Sequence, residues 1–544
     1  MPRHNAQPEN VIFWGAGATR ELGIRTTVEQ AQFVRRLTGA SDPSKPLADR
    51  VAEALADKNC ELWHSAFVDL IDILGDGDDA NRSIHNISGD QLHAMRRNWR
   101  GTDEELSQRI IDLRLTYDWP ALKSAVTICP GSTGEKFRLN DLFNLLDMHI
   151  PPGSGFRAPT GGGDLQFLDA RRLIGAKNAL VMILIASFYV DYQTCISSKR
   201  DILEKYKDAA ILLGRRMQRQ GQGRANRGVP LETSSFYQGD TGFVSMNYDP
   251  ILFWVQFVAN RELNHSASVP HIGSPAVPLH LFNDFSHFIP SRRIGRGDAN
   301  SPWYPMNEAV TQRLNESTAE ASHRVRLTKV LFPHGCLCWR ECPDCGKLSA
   351  YHADRWDLTA VDLLPPPPLL SFDASACPDR ITGSERDARG KGEVDARSCL
   401  HCGTLTFANH TQVVMQSSFK PRPPSFIEEI QRDLRATVMG ARHIILMGYS
   451  LPPDDVTYRA FFSARRQREG SQVRCTVVNK DTDNAGWYGP RELHGRFKDD
   501  SPVVAACEVF GEDNVRFYGG GIPQVFLDSG VATDANLHRL LEWS

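Results

Sequence analysis

Short apolar runs that end in small or polar residues recur at both ends of the chain. Val11-Ile12-Phe13-Trp14 ends at Gly15 and reads as a buried parallel strand entering a turn. Phe243 to Met246 gives a second strand signal. Later, His443 to Met447 runs into Gly448, and Val473 to Val478 runs into Asn479. Ser425 with Glu428 forms a capping box for a helix reaching about Met439, with Gly440 as its stop. This alternation predicts an α/β fold built on a doubly wound, Rossmann-like parallel sheet. Ligands of such sheets sit at the carboxyl ends of the strands.

Between the first two strand signals the pattern turns helical. Thr102 and Glu105 make a capping box ahead of Leu106, Ile110 and Leu113 on one face. Asn140 is placed to cap a helix carrying Leu142, Phe143, Leu145 and Leu146. Leu168 to Tyr192 predicts a third helix. Its apolar run, Ala179 to Val190, falls short of the roughly 20 residues that cross a bilayer and predicts burial instead. Pro151 to Gly163 and Gln220 to Gly228 read as exposed loops, and Pro365 to Pro368 as a stiff one.

These patterns divide the chain into five stretches. Residues 1–30 open the sheet domain, and 31–235 form a helical insertion. The sheet resumes over 236–335, a small cysteine-rich module occupies 336–405, and 406–544 complete the sheet. A chain of 544 residues exceeds one ordinary core, which agrees with several units.

A formal net charge of -3 leaves no electrostatic footprint for nucleic acid or an anionic membrane, although a local basic patch is compatible with it. No apolar stretch precedes the first strand, so no secretory signal is expected. Twelve cysteines in that context point to metal ligation and free thiols in a reducing cytoplasm.

Two CxxC knuckles, Cys342-Pro343-Asp344-Cys345 and Cys399-Leu400-His401-Cys402, are each followed by glycine. Two thiolates on one tight turn can both reach a tetrahedral ion, so Cys342, Cys345, Cys399 and Cys402 are the expected ligands of one structural zinc in a zinc-ribbon module. The long spacer between them, with its proline tract, reads as a looped insertion; Cys336, Cys338 and Cys377 stand in reserve.

Gly15-Ala16-Gly17-Ala18-Thr19 follows the first strand, where small residues let backbone N–H groups approach a pyrophosphate. The position at which a dehydrogenase fingerprint needs its third glycine is Arg20, and no acidic strand end follows about 20 residues on. Hydride transfer is disfavoured.

Four separated pieces together resemble the sirtuin superfamily, and more closely its bacterial NAD-hydrolase branch associated with phage defence. The turn from Gly15 to Ile24 resembles the family's GAGxS…GI segment. Met246-Asn247-Tyr248-Asp249 matches its Q-N-x-D element, Pro333-His334-Gly335 its His-Gly, and Gly448-Tyr449-Ser450-Leu451 its G-T/Y-S-L element, while Asn479 matches an Asn ending a late strand. The resemblance implies cleavage of the nicotinamide–ribose bond of NAD, with NAD as substrate. Asn247 would then organise the ribose and His334 act as base or polariser. Asp249 would shape the pocket, Gly15, Ala16, Gly17, Ala18 and Thr19 hold the phosphates, and Gly448, Tyr449, Ser450 and Asn479 contact the adenosine half.

Departures from the family bear on the acceptor. Arg25-Thr26-Thr27 replaces its Pro-Asp-Phe-Arg segment, and Val413-Val414-Met415-Gln416 lacks the strand that clamps an acyl-lysine peptide. Water is therefore favoured over an acyl-lysine or other protein acceptor, which would make the chain a deacylase or ADP-ribosyltransferase. A non-catalytic NAD or ADP-ribose sensor is the third reading. A homo-oligomer and a regulatory protein partner are further expectations.

Overall fold

The structure, a computed structural model, describes residues 7–75, 114–227, 240–265, 280–293, 324–363 and 413–543 apart from short gaps, with residues 102, 104, 111, 397–398 and 405–406 between them. Its centre is the first apolar run, strand β1 (Asn10–Trp14), buried at every position. Sequestering side chains such as Ile12 and Phe13 stabilises by about 1.5–3 kcal/mol each.

After β1 the chain makes a short 3-10 turn over Ala16–Leu22 and enters the helical insertion. Helix α1 (Thr27–Leu37) opens on a reciprocal capping box: Glu29 N–H donates to Thr26 Oγ1 at 3.4 Å, and Thr26 N–H donates to Glu29 Oε2 at 2.7 Å. Three further insertion helices matter here: α2 (Leu139–His149), α3 (Ala170–Ser198) and α4 (Arg200–Asn226). Asp169 caps α3 by accepting from Arg172 N–H at 2.9 Å. Among the described residues α3 is the one helix long and apolar enough to cross a membrane, and 83% of its most apolar window is buried inside the protein. Its Asp191 receives the backbone N–H of Arg25 at 3.0 Å and pairs with the Arg25 and Lys58 side chains, binding insertion to sheet.

The sheet resumes with β2 (Thr241–Ser245), helix α5 (Ile251–His265), β3 (His280–Asp284) and β4 (Arg324–Leu331). Helix α6 (Ser425–Gly440) leads to β5 (His443–Met447), α7 (Val456–Gln467) to β6 (Arg474–Val478), and the antiparallel edge strand β7 (Trp487–Tyr488) precedes β8 (Val515–Tyr518). The eight-stranded order is β7-β8-β6-β5-β1-β2-β4-β3, parallel except at β7. The chain leaves β1 on the β2 side and returns to build the other side from β5, so the order reverses at β1. A crevice is expected there.

Register sharpens that expectation. Trp14 pairs with Ser245 on one side and Met447 on the other, and Met447 pairs with Val478. Four strands thus end level, and Gly15, Met246, Gly448 and Asn479 are the next residues along each.

Several local expectations need correction. Ser425 is the first helical residue of α6, not its cap; Pro424 holds that position, and Glu428 instead accepts from Arg422 Nε at 2.8 Å. Asn140 lies within the first turn of α2, which Arg138 precedes without a side-chain cap bond. Gln220 to Asn226 continues α4 rather than forming a loop, and a Cβ at Gly223 would meet open space, so glycine there marks no break. Part of the expected loop from Pro151 to Gly163 is a strand, Phe156–Pro159, paired with Leu165–Leu168. Glu105, Leu106, Ile110 and Leu113 lie outside the described residues.

The cysteine-rich module is described in part. Trp339–Glu341 pairs antiparallel with Leu348–His352, and Cys342 and Cys345 sit in the turn between them. Cys342 N–H donates to Lys347 O and Gly346 N–H to Cys342 O, both at 2.9 Å. Arg397–Ser398 pairs antiparallel with Leu405–Thr406 and so brackets the second knuckle, whose Cys399 and Cys402 lie outside the described residues. Among the described residues no cluster of three or more metal-ligating side chains occurs.

Candidate functional site

A cavity of about 380 Å³ lies at the level strand ends, within the roughly 300–1,000 Å³ range of small-molecule sites. Four stretches of chain that the sequence holds far apart line it: Gly15 to Thr19, Met246 to Asp249, Gly448 to Ser450 with Pro452, and Asn479. Of the residues expected there, Ala18 and His334 are the exceptions. Ala18 is buried beneath the turn, its carbonyl accepting from Tyr206 Oη at 2.5 Å.

The glycines are required first by the protein itself. Gly17 N–H donates to Gly448 O at 2.9 Å, and Gly15 N–H to Met447 O at 2.9 Å. A Cβ on Gly15 would lie 2.5 Å from Gly448 O, and one on Gly448 would lie 2.1 Å from Ala18 N, at a φ of +59° that disfavours side chains. The β1 and β5 turns are therefore interlocked backbone to backbone. Because Ala18 N–H also donates to Gly15 O at 2.9 Å, three of the amide donors in the turn are already engaged. A phosphate seated here would rely on the remaining donors and on hydroxyls of Thr19, Thr26, Thr27 and Ser450, all in the lining.

Asn247 is nearly buried yet reaches the cavity. Its Nδ2 donates to Gly15 O at 3.2 Å, and its backbone carbonyl accepts from Ser245 Oγ at 3.2 Å. The strand-end turn thus fixes the carboxamide between β1 and β2. Asp249 accepts from Ile251 N–H at 3.0 Å at the start of α5. Burial pushes its carboxyl up to about 6, against hydrogen bonds from Ile251 and Asn247 that pull it down.

His334 is fully buried and stands behind the wall rather than in it. Its Nε2 is 3.2 Å from Tyr458 Oη, and its ring meets Tyr248, a lining residue, edge-on at 6.3 Å. Tyr449 Oη donates to Asp455 Oδ2 at 2.6 Å, fixing the turn that follows β5. In that turn Leu451 adopts a φ of +52° while completely buried, a strained conformation for a branched side chain held by its surroundings.

The far wall comes from the insertion: Leu139, Asn140 and Phe143 of α2, and Leu184 and Phe188 of α3. Sequence reasoning missed these residues, and Asp455 and Tyr458 as well. Phe143 and Leu184 carry an ordinary helical core pattern, which says nothing of which core they join. Asn140 did stand out, though for a different role.

The chain matches no protein-family model and no curated protein.

Proposed function

We propose that this chain binds NAD at the carboxyl ends of β1, β2, β5 and β6 and hydrolyses its nicotinamide–ribose bond, releasing nicotinamide and ADP-ribose. The observation that carries the reading is the convergence of four distant segments on one cavity at the point where strand order reverses. That is where a dinucleotide is held in doubly wound sheets.

Cleavage builds oxocarbenium character on the ribose, which fixed polar groups in a dry cavity stabilise. Asn247, locked to Gly15 O, would orient a ribose hydroxyl or the attacking water. His334 lies one side-chain layer away, so it would act after Tyr248 or Tyr458 shifts, or by polarising through Tyr248. Water is the favoured acceptor, since Val413-Val414-Met415-Gln416 lacks the strand with which the resembled family clamps an acyl-lysine peptide. The four cysteines of the two knuckles would hold one zinc that closes the module without an open coordination position.

The test is release of nicotinamide from NAD by the purified protein, with and without an acylated peptide. Release independent of peptide, lost in Asn247→Ala, supports the proposal. Tight NAD binding with no release makes the chain a sensor.

A further inference from the structure

At the opposite end of the sheet, the amino ends of β1, β5 and β6 border a second cavity of about 740 Å³. Guanidinium groups dominate it. Arg442 precedes β5, Arg474 opens β6, and Arg465 and Arg468 come from the end of α7 and just beyond. Arg216 of α4 also lines it, but is engaged by Asp240 at 2.6 Å and Glu542 at 2.8 Å. Glu9 is the remaining carboxylate of the lining.

Local structure accounts for some of these cations. Arg465 Nε donates to Ala441 O at 2.8 Å, and Arg468 Nη1 to Met439 O at 3.0 Å, both at the carboxyl end of α6 where positive charge offsets the helix dipole. That leaves Arg442 and Arg474, neither of which forms an ion pair among the described residues. Arg474 stacks over Trp543 at 5.0 Å, and Arg516 over the same ring at 4.7 Å. Crowding of like charge is felt by the neighbours. Burial and then Arg539 and Arg474 push Arg516 down to about 10, and burial and then Arg516 push His443 down to about 3, leaving that imidazole neutral.

A concave surface walled by arginines from separate elements attracts anions, and planar guanidinium forks match phosphate oxygens in pairs. We propose that this amino-end cavity binds a phosphate chain of the di- or triphosphate class, gripped by Arg442 and Arg474 and flanked by Arg465 and Arg468. The chain is read through its phosphates alone: Trp543, the lining's indole ring, is already covered by arginines. Inorganic polyphosphate and nucleoside polyphosphates share this chemistry.

Calorimetry with inorganic tripolyphosphate, ATP and adenosine tests it on the full chain. ATP should displace tripolyphosphate with an affinity within about threefold of the latter's own, more weakly as salt rises, and adenosine, which the carboxyl-end cavity can take, should not displace it. Arg442→Glu, at an exposed position, should weaken tripolyphosphate at least about tenfold, and the pair Arg442→Lys with Arg474→Lys should lose affinity by keeping charge without the fork. Far-UV circular dichroism checks folding of each variant; if the double variant does not fold, the single one decides. Wild-type tripolyphosphate affinity in folded Arg442→Glu would place the anion elsewhere and overturn the proposal. ATP displacing tripolyphosphate with an affinity more than about tenfold tighter than the latter's own would show that the base is read, and would also overturn it.

Discussion

The two ends of the same parallel strands are built from opposite materials. At the carboxyl ends backbone meets backbone: Gly15, Gly17 and Gly448 interlock, and Asn247 and Asp249 add uncharged or reluctantly charged side chains. At the amino ends long arginines from four segments supply the surface. The first end has its shape fixed by the fold itself. The second adds exposed cations such as Arg442, whose loss should leave the fold intact.

Gly448→Ala should have the largest effect. Its new Cβ would fall 2.1 Å from Ala18 N at a positive φ, so the interlock must open. Loss of folded protein, or a melting temperature far below wild type, is the expected result. Normal melting would show the turns to be more compliant than their spacing implies. The same logic bears on Gly17, where a Cβ would lie 3.0 Å from Gly448 O. A Gly17 variant therefore confounds NAD binding with folding.

Asn247→Ala comes next and should separate chemistry from stability. Nicotinamide release should fall by about 10²–10³-fold, the typical cost of removing one transition-state donor, while circular dichroism stays unchanged. Turnover at the wild-type rate would remove Asn247 from the reacting centre.

Asp249 sharpens the comparison through pH. Its carboxyl is raised from 3.8 to about 6, so the folded state binds a proton that the unfolded state releases across that interval. This group therefore favours the fold below pH 4, and that contribution is lost as pH rises through about 6. The limit is about 3 kcal/mol, from about 1.4 kcal/mol per unit. Urea titrations at pH 4 and pH 7 should show wild type losing stability relative to Asp249→Asn as pH rises. An equal response in both proteins would mean that burial does not govern this carboxyl.

Arg442→Ala should have the smallest effect, within about 0.5 kcal/mol of wild-type stability, because exposed side chains away from caps and buried networks rarely exceed that. A larger loss would make the amino-end arginines part of the scaffold and erase the contrast.

Much of the carboxyl end was legible from sequence. An apolar run followed by glycine or asparagine declares both a buried strand and its exit, which is why β1, β5 and β6 are found to within a residue. Strands β3 and β4 were not foreseen. His280–Asp284 alternates weakly, and Arg324–Leu331 carries arginines and a lysine, Lys329, that is buried against Asp433 at 2.6 Å and so reads as polar. Site residues that follow a strand were recoverable, because the strand end positions them. Those on α2 and α3 were not, because only packing across more than a hundred residues turns Phe143 and Leu184 toward this cavity. Capping was misread at Ser425 and Asn140 and missed at Thr26, since one hydrogen bond decides a cap and several nearby residues can make it.

The level ending of Trp14, Ser245, Met447 and Val478 has a consequence during synthesis. The ribosome delivers the turn after β1 before the other three segments, and the cavity is complete only when Asn479 has emerged. Until then Gly15 and Gly17 have no Gly448 to close against. A nascent or truncated chain ending before β5 holds an open crevice edge where the finished protein holds a site. Whatever chemistry this cavity performs begins only once the chain through Asn479 has emerged.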